Sequence, residues 1–204
     1  MGSDTLCSCT DLTKAYGKKW VLRGCTLRLH VGELVGLVGE NGSGKSTLVR
    51  CLLGFTRPSS GQVRLDATFG YCPQDDLLNR RLTVDEHIRL VATITGRQAD
   101  RGRSDELVAR LKLSPYIGTV IGKLSSGTYQ KVKLLTSLLV SPQMLFLDEP
   151  YEGFDWQMYK AFWEIVAELR SVDRGVLVVT HLIYDLDRFD CVYEIADGII
   201  KKTK

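Results

Sequence analysis

The stretch Gly39-Glu40-Asn41-Gly42-Ser43-Gly44-Lys45-Ser46-Thr47 constrains this chain more than any other. It follows the apolar run Leu34-Val35-Gly36-Leu37-Val38, which reads as a buried strand of a parallel sheet. It precedes Leu48-Val49-Arg50-Cys51-Leu52-Leu53, whose spacing suits a helix packed on that sheet. Strand, glycine-rich turn and helix together make G-x-x-x-x-G-K-[ST] a phosphate-binding loop. Gly42 and Gly44 let the backbone curl with its N–H groups inward, where side chains would block a phosphate. The following helix adds unpaired amides and the positive end of its dipole. Lys45 places an ammonium between the last two phosphates, and the Ser46 hydroxyl suits Mg²⁺. The predicted ligand is a nucleoside triphosphate.

Length allows one domain with a substantial core: 204 residues, 44% hydrophobic and 25% charged. A net charge of +3 is too mild to point to nucleic acid, so Lys201-Lys202-Thr203-Lys204 and residues 97–103 read as solvated ends and loops. No run approaches the roughly 18 apolar residues of a spanning helix, and Met1-Gly2-Ser3-Asp4 lacks the basic start and apolar core of a secretion signal. Contact with a membrane is therefore expected to go through a partner. Six cysteines without C-x-x-C spacing suggest a reducing, cytosolic setting. Cys51 and Cys191 lie in apolar segments as small hydrophobes; Cys7 and Cys9 share one face of a strand, which also leaves a metal site open as a minor option.

Residues 6–16 and 21–30 read as strands joined at Gly17-Lys18-Lys19, with Leu27, Leu29 and Val31 alternating with Arg28 and His30. Past the turn signal Pro58-Ser59-Ser60-Gly61, residues 62–65 and 68–72 give two short strands ending at Pro73-Gln74. The character then changes. Thr83 is a helix N-cap with Glu86 in the capping-box position, and Ile88, Val91, Ala92 and Thr95 share a face before Gly96. A second helix begins at Ser104, with Leu107, Val108 and Leu111 inward. A third spans 126–140, with Val132, Leu135, Thr136 and Leu139 inward. Residues 144–147 are another buried strand ending in Asp148-Glu149-Pro150. A helix over 156–170 buries Phe162, Ile165, Val166 and Leu169, and the strand 176–179 stops at Thr180-His181. Residues 192–195 and 199–200 form a hairpin through Asp197-Gly198. The expected organisation is a single α/β domain over 1–204, with a core of 1–74 and 142–204 and a helical insertion at 75–141.

A phosphate loop needs a carboxylate to hold its metal, and an apolar strand ending in acid is where one is expected. Asp148 fills that role, leaving Glu149 free to polarise a water for attack on the γ-phosphate. His181 sits at the same carboxyl edge of the sheet, where open α/β folds bind ligands. His30 and His87 have no such setting and are assigned nothing.

These landmarks, in this order, resemble the ATP-binding cassette (ABC) ATPases over nearly the whole chain. GENGSGKST is similar to the Walker A loop, with Gly39, Asn41, Gly42, Ser43, Gly44, Lys45, Ser46 and Thr47 as nucleotide contacts. Gln74, in Tyr71-Cys72-Pro73-Gln74, resembles the Q-loop glutamine, which senses the γ-phosphate and the metal. Leu124-Ser125-Ser126-Gly127-Thr128 resembles the LSGGQ signature. MLFLDEP looks like Walker B, with Asp148 on the metal and Glu149 as catalytic base. Tyr151-Glu152-Gly153-Phe154-Asp155 resembles the D-loop and His181 the switch histidine, while Tyr16 stands where the family stacks an aromatic on adenine. Ser126, Thr128, Phe154 and Trp156 depart from the family pattern without removing a catalytic group, and serine is small enough to keep a phosphate within reach of the backbone.

The resemblance implies a P-loop NTPase core of RecA type with an antiparallel β subdomain and the helical insertion. It also implies ATP and Mg²⁺ as ligands, with Ser46, Gln74 and Asp148 around the metal and Glu149, His181 and Gln74 in catalysis. One Walker A and one signature in a single chain imply a homodimer, or a paired cassette, in which Ser125 and Gly127 of one copy cap the γ-phosphate held by Lys45 of the other. The expected role is the ATPase subunit of a transporter, at the inner face of the cell membrane, working through a separate transmembrane permease. The YCPQ form and the compact chain favour export over import. The alternative is a soluble cassette ATPase of an assembly or regulatory complex, of the iron–sulfur cluster assembly type.

Overall fold

The computed structural model describes residues 4–76, 78–96, 101–171, 174–181 and 186–204. Two long strands, β1 (Thr5–Tyr16) and β2 (Lys19–His30), pair antiparallel, and β4 (Ser60–Leu65) joins the free edge of β1. The second sheet runs β5-β6-β7-β3-β8-β9, built from β3 (Leu34–Val38), β5 (Phe69–Cys72), β6 (Met144–Asp148), β7 (Gly175–Thr180), β8 (Cys191–Ala196) and β9 (Ile199–Lys202). Its first five strands are parallel and β9 returns antiparallel from β8.

The residues of the central strands explain the layering. β3, β6 and β7 are apolar almost throughout and buried throughout, as strands covered on both faces must be. Successive side chains point to opposite faces. Leu145, Leu147, Val176 and Val178 enter one apolar cluster, shared with Val132, Leu135, Leu138, Phe162 and Ile165 of the helices. Phe146, Leu177 and Val179 enter the other, shared with Leu12 and Leu22 of the small sheet and with Leu48 and Leu52 of α1 (Lys45–Leu52). One face of the parallel sheet thus carries helices, and the opposite face carries the antiparallel sheet and α1.

The helical face comprises α2 (Val84–Ile94), α3 (Arg101–Arg110), α4 (Ser126–Leu139) and α5 (Trp156–Ser171). Thr83 caps α2 as the sequence predicts: its Oγ1 accepts the Glu86 N–H at 3.2 Å, and Glu86 Oε2 accepts the Thr83 N–H at 2.7 Å. Ile88 is buried and Val91, Ala92 and Thr95 are half-buried along the expected face, which Val84 and His87 extend towards the N-terminus, and Thr95 is the C-cap. His87 is structural, its Nε2 lying 2.8 Å from Thr136 Oγ1. Replacing Thr83 by Ala removes one acceptor and half of the reciprocal box. We expect a loss of about 1 kcal/mol, which for a chain of this size lowers the melting temperature by roughly 2–4 °C. An unchanged thermal melt would remove the cap from the stabilising features of the fold.

Lys201-Lys202-Thr203-Lys204 is solvated as expected, all four side chains being exposed, although its backbone is ordered: Lys201 and Lys202 of β9 pair with Glu194 and Tyr193, and the Thr203 N–H donates to Val192 O at 2.8 Å. Of the stretch 97–103, residues 97–100 lie outside the described residues, while 101–103 open α3 instead of forming a loop. All six cysteines are buried as free thiols. Burial pushes Cys7 and Cys9 up to about 12, and no group of three or more metal-ligating side chains occurs among the described residues.

Candidate functional site

The loop between β3 and α1 closes on itself through Ser43 N–H to Glu40 O (3.2 Å), and α1 begins with Leu48 N–H to Gly44 O (2.9 Å). Gly44 has φ +111, and a Cβ there would come within 3.0 Å of the Val21 carbonyl and the Leu22 side chain of β2. Gly39 is equally confined, since a Cβ would meet the Ile195 carbonyl of β8 at 2.3 Å. The loop is therefore clamped between the two sheets at both ends, and only glycine fits at those points. Gly42, with φ +81, has open space around it.

This clamp sets the direction of Lys45. Its side chain is almost wholly buried, and Nζ donates to the carbonyls of Gly39 (2.7 Å) and Glu40 (2.9 Å). Burial lowers the ammonium below the usual lysine range, opposed by the nearby carboxylates of Glu149 and Asp148. A cavity of about 150 Å³ opens beside it, lined by Val21, Asn41, Gly42, Gly44, Lys45, Ser46, Thr47, Gln74, Asp148 and Glu149. A larger cleft of about 700 Å³ lies on the other flank of the loop and includes Gly39, Asn41, Gly42, Ser43 and Trp20.

Asp148 ends β6 with 1% exposure, and neither carboxylate oxygen has a hydrogen-bond partner. Burial raises its pKa, the neighbouring Ser46 hydroxyl opposes that rise, and Glu149 adds to it. Two orphaned, buried carboxylate oxygens cost free energy unless a cation answers them. With Ser46 beside Asp148, the oxygen donors present suit a hard divalent ion, so these residues fit Mg²⁺.

Glu149 turns away from the strand through a left-handed backbone, φ +49. Its N–H donates to Val179 O at 3.0 Å, and its Oε1 lies 2.8 Å from His181 Nδ1. An Nδ1–H tautomer donates to the carboxylate and leaves Nε2 facing away from it. Tyr151, buried, donates its hydroxyl to Thr180 Oγ1 at 2.6 Å, tying the residues after Glu149 to the strand end that carries His181.

Of the residues singled out in the sequence, Asn41, Gly42, Gly44, Lys45, Ser46, Thr47, Gln74, Asp148 and Glu149 meet at one cavity, with His181 on Glu149. Tyr16 lines neither cavity described above. It is 51% exposed at the end of β1, with Lys14 Nζ 4.9 Å from its ring centroid. Ser125 and Gly127 lie apart from Lys45. Ser125 caps α4, accepting the Thr128 N–H at 3.3 Å, and Ser125 and Ser126 are exposed. A Cβ on Gly127 would meet the Gly153 carbonyl at 2.6 Å, so this turn lies directly against residues 151–155.

Two residues escape the sequence reading. On α4, Gln130 Nε2 donates to Glu149 O at 3.2 Å, and Lys133 Nζ donates to Pro73 O and Gln74 O, each at 2.9 Å. Polar residues between the apolar positions of that helix read as solvent-facing, and only the folded neighbourhood reveals them as buried.

Comparison with known proteins adds an independent finding. The family model for ABC transporters matches residues 22–152. The ABC-type organic anion transporter ABCA8A of Mus musculus is 37% identical over 175 residues, covering 80% of this chain and 11% of that protein. The chain thus spans about a tenth of the length of such mammalian relatives. An uncharacterised ABC transporter ATP-binding protein of Methanocaldococcus jannaschii is 31% identical, covering 87% of this chain and 69% of its own. Among solved structures, an ATP-binding subunit of an ABC transporter superposes with a TM-score of 0.89 at 27% identity, covering 98% of this chain and 90% of that one.

Proposed function

Since the chain belongs to the ABC transporter family as an ATP-binding cassette, a family that hydrolyses ATP, we propose that it hydrolyses Mg-ATP between two facing copies and so drives transport through a separate membrane protein. The observation that carries the reading is the single small cavity holding Lys45, Ser46, Gln74, Asp148 and Glu149.

In this reading the loop amides from Gly42 to Thr47 take the phosphates, and Lys45 leaves its two carbonyls for the terminal pair. Tyr16, exposed at the end of β1, is the platform for adenine. Ser46 and Asp148, with Gln74, would hold a magnesium ion, which would supply positive charge against the phosphates. Glu149 accepts a proton from the attacking water, and its bond to His181 fixes the carboxylate while the other ring nitrogen turns to the γ-phosphate. Both ends of the machinery are open to solvent in one copy: the loop on one side, Ser125 with Gly127 on another. A second copy is needed to bring a signature serine to the phosphate that Lys45 holds. Hydrolysis removes the charge that joins the copies. Residues 75–141 are the inserted part that answers the membrane partner, and the chain lies against the inner face of the membrane through that partner. No helix among the described residues is long and apolar enough to cross a membrane. The soluble-assembly alternative is not favoured, because the relatives compared above are transporter proteins.

Two measurements test this. Turnover per chain should rise with protein concentration and saturate as the dimer fills; turnover independent of dilution would exclude the shared site. Native purification should retain a polytopic membrane protein, and a stable complex containing none would overturn the transport assignment.

A further inference from the structure

Lys133 is a buried cation that the hydrolysis chemistry above does not use. It is 6% exposed, on the face of α4 turned towards the sheet, and its ammonium answers the main-chain carbonyls of Pro73 and Gln74 at 2.9 Å each. The Tyr129 ring centroid is 5.8 Å away. Burying an ammonium is costly unless its protons are matched. Two peptide carbonyls match protons without neutralising charge, so what this cost secures is the position of a backbone.

The backbone in question carries Gln74. The neighbouring residues of α4 act alike: the Tyr129 hydroxyl oxygen accepts the Leu78 N–H at 3.3 Å, and Gln130 Nε2 holds the Glu149 carbonyl at 3.2 Å. Residues 129, 130 and 133 fall on one arc of a helix, so a single rigid element grips the main chain on both sides of the small cavity. Ser125 caps the N-terminus of the same helix and is exposed.

We propose that Lys133 is a positioning residue for ATP hydrolysis: it fixes the peptides of Pro73 and Gln74 so that the Gln74 side chain stays at the cavity of Lys45, Asp148 and Glu149. Because Ser125 starts the same helix, seating that helix end on a partner copy's nucleotide moves the chain's own Gln74 with it. The inference rests on the hydrolysis reading above and adds a residue that reading does not need.

The test is Lys133→Met, which keeps the length of the side chain and removes its charged donors. Residues that orient a metal-site group cost typically 10–100-fold when lost. We expect kcat to fall about tenfold or more on that basis, and the magnesium concentration for half-maximal rate to rise. ATP affinity measured in EDTA stays unchanged, and hydrogen exchange of residues 74–76 in the nucleotide-free chain quickens. In a Gln74→Ala background the same substitution should cost nothing further, a result that a packing role for Lys133 would not give. Unchanged kcat in Lys133→Met, or an equal loss with and without Gln74, overturns the proposal. Should Lys133→Met lose its cooperative melt, Lys133→Gln takes its place, and the same two results overturn the proposal. A wild-type chain with no ATPase activity is a different failure: it overturns the parent reading and the positioning role with it.

Discussion

Replacing Glu149 with glutamine should lower ATP turnover by two to four orders of magnitude while leaving nucleotide binding intact, the range expected when a positioned general base is lost. Glutamine preserves the volume of a side chain that is only 6% exposed, and it can still accept from His181 Nδ1, now 2.8 Å from Oε1. What it cannot do is take a proton from water. The left-handed backbone at Glu149 depends on position, not on the carboxylate, so φ +49 and the Glu149 N–H to Val179 O bond are retained. Binding and hydrolysis are thereby separated in one substitution. Phosphate release falls, and with Mg-ATP present the two-copy complex accumulates and becomes visible as a doubled mass by light scattering. If the Gln variant turns over like the wild type, Glu149 is not the base. His181→Ala, which removes the orienting contact but not the base, should show a smaller loss.

Much of this site can be read from the chain because its chemistry is local. The phosphate loop is a contiguous run whose glycines, lysine and hydroxyl each have one physical purpose, and Asp148 with Glu149 closes an apolar strand whose burial on both faces is written in its composition. The pairing of Glu149 with His181 depends instead on β6 and β7 lying side by side, which parallel register supplies and sequence spacing does not. Gly39 shows the same limit: its need for glycine comes from the carbonyl of Ile195, far away in the chain. Lys133 and Gln130 are hidden by the rule that polar side chains on an amphipathic helix face water. The arc of α4 next to Pro73 and Glu149 buries polar groups because peptide carbonyls await them there. The terminal lysines are solvated as their charge suggests, while the free edge of β8 pairs their backbone whatever the side chains are, which composition does not reveal.

Lys45→Ala should weaken ATP binding itself. Each charge-assisted hydrogen bond contributes about 1.5–3 kcal/mol, and about 1.4 kcal/mol is a factor of ten in Kd, so an affinity loss of roughly 10–100-fold is expected, read by calorimetric titration. The accompanying stability measurement makes the result specific. In the nucleotide-free chain the largest influence on Lys45 is burial, which lowers its pKa, and Glu149 and Asp148 only oppose it. A base whose pKa is depressed by burial is held charged at a cost to the folded chain for as long as it stays protonated. Removing Lys45 relieves that cost but also takes the positive charge away from buried Asp148 and Glu149 and the donor from the carbonyls of Gly39 and Glu40, so the nucleotide-free melting temperature should change little. The stabilisation conferred by ATP, which scales with the logarithm of ligand over Kd, should shrink in parallel with the affinity. A cation kept at a cost to the empty fold has its reason in the ligand. Wild-type affinity in Lys45→Ala would mean that the phosphates lie elsewhere, and a melting temperature that fell without ATP would recast Lys45 as a structural pin for its own loop.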